Sequence, residues 1–335
     1  MALTATASEF VAAWSAEGGS PAAVARALGM SDRGVYLRRA RLEAQGYDLP
    51  SRHTDHGDQL RRAFAYTPRI DTTLLDGCAI VGNDRHIWPG DGISVAEAAM
   101  LTLIPQLRPK IIISNGDVFD GAGLSRHAPL GHEKKPRADD EVFAVQEHLH
   151  RLAQAACGWE VQLMRTVGNH CMRFDRKLAE TCSDMSKLHG MRLADRLPLW
   201  SESWSIHINA GMPGGHAVVK HRQRSGVHAS HNNATIAGCT IVTGHTHKQD
   251  VRAVTNYGGT HWGVQTGMLA DRHQPAHEYA EDHPDPGQPG FAVLTWHSGV
   301  LLPPELATVD EAGVCWFRGA PVRLRVRVKA GSAAS

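Results

Sequence analysis

Asp84-Arg85-His86, Gly116-Asp117-Val118-Phe119-Asp120, Gly168-Asn169-His170 and Gly244-His245-Thr246-His247 follow one another along a single chain. Each ends or follows an apolar, strand-like run. Carboxylate, amide oxygen and imidazole form a hard-to-borderline donor set. It suits Mn²⁺, Fe²⁺ or Zn²⁺, and no thiolate forces zinc or copper. The donors suffice for two adjacent ions. Two ions about 3.5–4 Å apart are machinery for cleaving phosphate esters. One such motif alone means little, because an isolated histidine is usually an ordinary surface or core residue. Four in order, each at the carboxyl end of a plausible strand, are informative.

The donors need strands that end together, and the rest of the chain is consistent with that. From Leu74 onward short strands alternate with helices. Strands are expected at Cys78–Val81, Ile111–Ile113, Val161–Val167, Trp204–Ile208, Ala217–Val219, Thr240–Thr243 and Phe291–Trp296, the last closing the set. Helices are expected at Val95–Leu107 and Asp139–Cys157, the latter with Val142, Val145, Leu149 and Leu152 inward. Such alternation indicates an α/β domain with its site in loops beyond the strand ends.

The 335 residues are enough for about two domains, and 42% hydrophobic content supports a sizeable core. A formal net charge of +1 gives no global pull toward nucleic acid or membrane. No apolar run approaches the roughly 20 residues of a membrane span. The N-terminus lacks a basic region followed by an apolar stretch, so no secretory signal is expected. Cys78, Cys157, Cys171, Cys182, Cys239 and Cys315 are scattered, as in a protein of the reducing cytoplasm.

Residues 1–50 are expected to form a separate helical module. Ser8 would cap a helix bearing Phe10, Val11, Ala13 and Trp14, broken by Gly18-Gly19. Ser20-Pro21 would start a second, with Val24, Ala25 and Leu28 inward. Gly29 makes a turn, and Ser31 caps a third helix through Ala44, with Val35, Tyr36 and Leu42 inward and Arg33, Arg38, Arg39 and Arg41 mostly outward. This order fits a helix-turn-helix that binds duplex DNA, or a small bundle that docks on protein. Five arginines against four acids over residues 1–46 make only a weak basic footprint. Residues 51–72 are expected to be a linker with one amphipathic turn near Leu60–Tyr66. The main domain would run over 73–325, and residues 326–335 would be a disordered tail.

The ordered motifs resemble the calcineurin-like metallophosphoesterase superfamily over roughly residues 76–297. The helix-turn-helix front, with Trp88-Pro89-Gly90, Ser125-Arg126-His127 and Trp262-Gly263-Val264, more narrowly resembles members encoded by bacteriophages and prophages. The resemblance implies a four-layer α-β-β-α sandwich of two mixed sheets. It implies that Asp84, His86, Asp117 and His247 hold one metal ion. Asp117, Asn169, His221 and His245 would hold the other, with Asp117 shared. His221 rests only on its place after the run Ala217–Val219; His216, His228 and His231 are the alternatives. His170 is implied as the catalytic histidine beside ligand Asn169, stabilising or protonating the leaving oxygen; the alternative is a plain loop residue. Asp120 would orient a ligand histidine, or simply cap a helix.

Many relatives carry an acid after Gly-Asn-His, where this chain has Cys171, so a carboxylate contact to His170 would be missing. Cys171 reads as a small semi-buried residue, with a reactive thiol as the alternative. Arg126 and His127 in the basic segment 125–137, and Arg173 and Arg176 later, would bind phosphate or simply face solvent.

The expected activity is phosphodiester hydrolysis, as a phosphodiesterase or nuclease on nucleic acid or nucleotides, through a hydroxide bridging the two ions. Mn²⁺ is the expected metal, with Fe²⁺, Zn²⁺, Ni²⁺ or Co²⁺ as substitutes. The expected location is the cytoplasm, that of the host for a phage-encoded chain, with no membrane partner. The alternatives are a phosphomonoesterase on a protein or small metabolite, and a DNA-binding regulator with a vestigial hydrolase domain. Exact substrate, physiological metal and oligomeric state are not written in the sequence.

Overall fold

A computed structural model describes residues 5–49, 66–125, 134–188, 190–276 and 286–328. The chain divides into two compact units, Met1–Ala65 and Tyr66–Ser335. Among the described residues no helix is long and apolar enough to cross a membrane.

The first unit contains α1 (Ala7–Ala16), α2 (Pro21–Leu28) and α3 (Asp32–Ala44). The cap of α1 is Thr6, not Ser8. Thr6 and Glu9 close a capping box, which satisfies two backbone amides reciprocally and sets the start two residues earlier. Ser20 caps α2 with Pro21 in its first turn, Gly29 ends it in the left-handed region, and Ser31 caps α3. Phe10, Trp14, Val24, Ala25, Val35, Leu42 and Leu49 form a small core. Tyr36 is outside it, 58% exposed, because Val35 already fills the inward position on that turn.

The second unit carries β1 (Ile70–Thr72), β2 (Gly77–Gly82), β3 (Ile111–Asn115), β4 (Gln162–Thr166), β5 (Ser201–Ser203), β6 (Ile206–Ile208), β7 (Ala217–Val219) and β8 (Thr240–Thr243). It continues with β9 (Gln249–Asn256), β10 (Gly259–Thr266), β11 (Gly290–His297), β12 (Val300–Leu301), β13 (Glu305–Val309), β14 (Cys315–Phe317) and β15 (Ala320–Pro321). The helices are α4 (Val95–Leu107), α5 (Ala138–Ala155), α6 (Met172–Thr181) and α7 (Ala229–Ala237). One sheet runs β1-β6-β7-β8-β10-β9. The other runs β15-β14-β13-β11-β2-β3-β4-β5, with β12 paired to β11. Both are mixed: β2, β3, β4 and β5 are mutually parallel, while β11 is antiparallel to β2.

Strand alternation builds the layers. On β2 and β3, Ala79, Val81, Ile111 and Ile113 face Ile206, Ile208, Ala217, Val219 and Val242 of the other sheet. The opposite face, with Cys78, Ile80 and Ile112, packs on α4 and α5. Val218 and Ile241, on the far face of the six-stranded sheet, pack with Ala234 of α7. The result is the four-layer α-β-β-α sandwich of two mixed sheets. Burial on both faces explains why β2 and β3 read as continuous apolar runs.

Several expectations need correction. The expected linker 51–72 overlaps β1, which pairs in register with β6; Ile70-Asp71-Thr72 is too short to show a period. Phe291–Trp296 is not the last strand, since β12 to β15 extend that sheet. The hairpin β9–β10 was not anticipated, because its mostly exposed outer strand is polar. The stretch 50–65, the amphipathic turn apart from Tyr66, and tail residues 329–335 lie outside the described residues.

Candidate metal centre

The common direction of parallel strands gathers the motifs. Asp84 follows β2, Asp117 follows β3 and Asn169 follows β4, three adjacent parallel strands. His221 follows β7, and His245 and His247 follow β8, adjacent and parallel in the other sheet. Backbone turns sharply at these strand ends. Asp84 (φ 49°), His86 (φ 42°), Asp117 (φ 45°), His245 (φ 68°) and His247 (φ 59°) all occupy the left-handed region. That region is costly for residues with a Cβ, and such outliers cluster at functional sites.

The glycines of the motifs serve close approach. A Cβ on Gly168 would lie 2.0 Å from Asp117 Oδ1, and one on Gly244 would lie 2.7 Å from Asp84 Oδ2. Only glycine lets these turns reach the buried carboxylates.

Two groups of three side chains bring their donor atoms within 4.8 Å of one another: Asp84, His86 and His247, and Asp117, His221 and His245. Asp84 Oδ1 is buried and accepts no hydrogen bond. Around it lie Nε2 of His247 at 3.6 Å, of His86 at 3.7 Å and of His221 at 3.9 Å. These separations are too long for hydrogen bonds. They are close to the ~3.0–3.4 Å expected between ligands that each lie about 2.0–2.1 Å from one ion. In the second group His221 Nε2 is 3.0 Å from Asp117 Oδ2 and 3.2 Å from Asn169 Oδ1.

The outer nitrogens are already committed. His221 Nδ1 lies 2.8 Å from the Asn115 carbonyl, to which it must donate. His86 Nδ1 lies 2.9 Å from Asp120 Oδ1. Such contacts fix the tautomer and leave Nε2 as the inward lone pair. A lone pair facing carboxylate oxygens requires a cation between them, either a proton or a metal ion. The imidazoles respond accordingly. Burial opposes charge on His86, but the hydrogen bond to Asp120, the neighbouring Asp84 carboxylate and the Asp117 charge push its pKa up to about 10. Burial likewise opposes charge on His221, and Asp117 and Asp84 push it up to about 9. Burial raises the Asp84 carboxyl, yet the His221 and His247 charges hold it well below its ordinary range. A divalent ion can take the place of these protons, so the residues present fit a metal at each group.

A third set, His86, Asp120 and His170, is different in kind. Asp120 Oδ1 is 2.9 Å from both Nδ1 atoms, which are hydrogen-bond lengths. Asp120 therefore orients two rings at once. It supplies His170 with the carboxylate that Cys171 does not. The His170 amide donates to Asp117 Oδ1 at 2.7 Å, fixing the loop against the site. Arg173 donates to the Asp120 carbonyl at 2.8 Å, and its Nη2 is 3.3 Å from His170 Nε2. Arg176 is exposed. Arg126 and His127 lie outside the described residues.

Of the four histidines considered around β7, His221 is the one placed in these groups among the described residues. His216 contacts His207 at 3.2 Å, His228 precedes α7, and His231 is exposed on it. Cys171 is buried, and burial with the Asp117 charge pushes its thiol up to about 11. Both effects disfavour the thiolate form.

Several supporting residues were missed. Asn83 Nδ2 donates to the Gly267 carbonyl at 2.6 Å and to Asp84. Arg85, between two candidate ligands, is buried and pairs with Glu97 at 2.7 Å. Glu97 also receives His148 at 2.9 Å and Arg151 at 2.9 Å. Gln274 donates to the His86 carbonyl at 3.1 Å. Glu141 accepts from the amides of Gly121 and Ala122, closing the loop beyond Asp120. The position of Arg85 inside Asp84-Arg85-His86 was the only local signal; the partners come from distant elements.

No protein-family profile matches the sequence, and no curated protein matches it. Among solved structures the chain is similar to Entamoeba histolytica Vps29 complexed with zinc, at 14% identity over 73% of this chain and 99% of the other, with a TM-score of 0.37. It is similar to the Escherichia coli phosphoesterase YfcE at 14% identity, over 74% and 100% of the two chains, with a TM-score of 0.33. A dimetal phosphatase from Danio rerio is 10% identical over 70% and 96%, with a TM-score of 0.34.

Proposed function

We propose that this chain is a two-metal phosphoesterase of the calcineurin-like type, acting on phosphodiesters of nucleic acid or nucleotides. The observation that carries the reading is Asp84 Oδ1, buried without a hydrogen bond among three imidazole nitrogens at 3.6–3.9 Å. Asp84, His86, Asp117 and His247 would hold one ion, and Asp117, Asn169, His221 and His245 the other. Two divalent ions there supply charge neutralisation on the phosphate and an acidified water. Mn²⁺, Fe²⁺ and Zn²⁺ all suit the donors.

The chain's own residues do the rest. Asp120 holds His86 and His170 in fixed orientations through Nδ1. His170 is the group for charge or proton at the leaving oxygen, since it is beside Asn169 and its Nδ1 is committed to Asp120. Arg173, fixed by the Asp120 carbonyl, sits next to His170 Nε2 and offers a cation to a non-bridging phosphate oxygen.

The test is metal analysis together with a substrate panel. The purified protein should take up about two divalent transition-metal ions per chain. With Mn²⁺ it should hydrolyse bis-p-nitrophenyl phosphate faster than p-nitrophenyl phosphate. Absence of a tight site, with no activation by Mn²⁺, Ni²⁺, Co²⁺ or Zn²⁺, would sink the reading. Faster monoester turnover would move it to a phosphomonoesterase.

A further inference from the structure

The strand-end pattern continues one strand beyond the metal motifs. Asp84, Asp117 and Asn169 follow β2, β3 and β4; Trp204 follows β5, the next strand in the sheet. Trp204 lines an open cleft of about 550 Å³ that also reaches His221 and His245, one from each of two neighbouring strand ends. The volume lies within the range of small-molecule sites.

Apart from Val167 and the two histidines, the other cleft walls are cationic or neutral polar. Lys220 and Arg222 flank His221, and Gln223 and Ser225 follow. No acidic side chain lines the cleft among the described residues. Arg222 is exposed and Lys220 half-buried.

Trp204 is held rather than loose. Its ring meets Tyr66 edge-on, centroids 4.9 Å apart at 70°. The Tyr66 hydroxyl donates to Asp175 at 2.7 Å, and the Arg192 guanidinium lies 4.8 Å over the Tyr66 ring. None of these contacts belongs to the metal motifs. A buttressed aromatic at the mouth of a basic cleft is a stacking platform for a flat anionic ligand.

We propose that this cleft is a nucleoside subsite, in which a base stacks on Trp204 while Lys220 and Arg222 engage phosphate next to His221 and His245. A phenyl ring would also stack, but it offers no polar edge to Gln223 or Ser225. A base does, and bases are read by aromatic stacking together with hydrogen bonds at their edges. The inference rests on the phosphoesterase reading above, and it names the substrate class as nucleoside phosphates.

The experiment compares ligands that share a phosphate and differ in the base. Metal-loaded protein is titrated calorimetrically with thymidine 5′-monophosphate, deoxyribose 5-phosphate and phenyl phosphate, and hydrolysis of bis-p-nitrophenyl phosphate is followed separately. The nucleotide should bind on the order of tenfold more tightly than the base-free sugar phosphate. Trp204→Ala should abolish that preference, and Trp204→Phe should keep most of it. Arg222→Gln, at an exposed position that the fold does not depend on, should weaken both the nucleotide and the sugar phosphate alike. A short single-stranded DNA that binds more tightly than the nucleotide, with a smaller salt slope in Arg222→Gln, would identify a polynucleotide as the source. Equal affinity would identify free nucleotides, and either source supports the subsite. No preference for thymidine 5′-monophosphate over deoxyribose 5-phosphate, or phenyl phosphate binding as tightly as the nucleotide, overturns the inference. If diester hydrolysis persists in that case, the phosphoesterase reading stands without it. Failure to take up metal or to hydrolyse the diester overturns that reading first.

Discussion

Asp117 and His170 are one loop contact apart, yet they should fail differently when changed. Asp117 Oδ2 faces His221 at 3.0 Å, and Oδ1 receives the His170 amide at 2.7 Å. Asp117→Asn removes a buried charge between two candidate ions. It should lower metal content at both positions and abolish turnover. His170 instead spends its Nδ1 on Asp120. His170→Ala should leave metal content intact and lower kcat by a factor on the order of 10²–10⁴, the usual worth of a positioned acid. Metal analysis of the two variants beside their rates checks this. Loss of a metal ion in His170→Ala would make that histidine a ligand instead.

At the scale of elements, the loop carrying Asp84 and His86 is tied to α4 and α5 through Glu97. Burial raises the Glu97 carboxyl, but the His148 contact and the Arg85 and Arg151 charges hold it well below the usual range. The folded state therefore binds this proton less tightly than the unfolded chain. The stabilisation is present above about pH 4.5 and is lost as pH falls from there through the depressed folded value. Glu97→Gln leaves Arg85 buried without its counter-charge. It should cost about 3–5 kcal/mol at pH 7, as for one broken partner of a buried pair. The gap between wild type and variant should narrow as pH drops below about 4.5. Denaturant unfolding at pH 7 and pH 4 measures both. An equal gap at the two values would mean that folding leaves the proton affinity of Glu97 unchanged.

Across the whole molecule, none of the candidate metal ligands found among the described residues lies in the first unit. Its surface also limits how it could meet DNA. Arg33 and Arg41 are exposed, but Arg38 donates to the Ala5 carbonyl at 3.1 Å, and Arg39 pairs with Glu43 at 2.8 Å and lies 4.9 Å over Trp14. Two of the four arginines expected to contact DNA therefore also hold the module together. We expect the module to tether the enzyme to duplex DNA through few phosphate contacts. Removing residues 1–49 should spare hydrolysis of a small chromogenic diester and weaken DNA affinity, with a shallow salt dependence. Gel shifts of full-length and shortened protein at two salt concentrations decide it. Unchanged affinity would eliminate the tether, and lost hydrolysis would indicate a docking role for these helices.

The residues that carry local chemistry were legible in the sequence. Candidate metal donors are expected where strands end, so Asp84, Asp117, Asn169, His245 and His247 stand out by type, order and the apolar runs before them. Apolar strands buried on both faces, such as β2, β3 and β8, are equally plain. Partnership was decided only in three dimensions. Nothing near Asp120 says that it orients both His86 and His170, since β3 and β4 must first lie side by side. Glu97 and Gln274 reach the first motif from 12 and 189 residues away from Arg85. Short or exposed strands such as β1 and β9 carry no period of their own and form because a neighbour offers a ladder. Trp204 illustrates the division best. As a sequence position it is one aromatic residue among eight tryptophans. The parallel order of β4 and β5 sets it at the same end of the sheet as Asn169, because adjacent parallel strands present their carboxyl ends on the same side of the sheet.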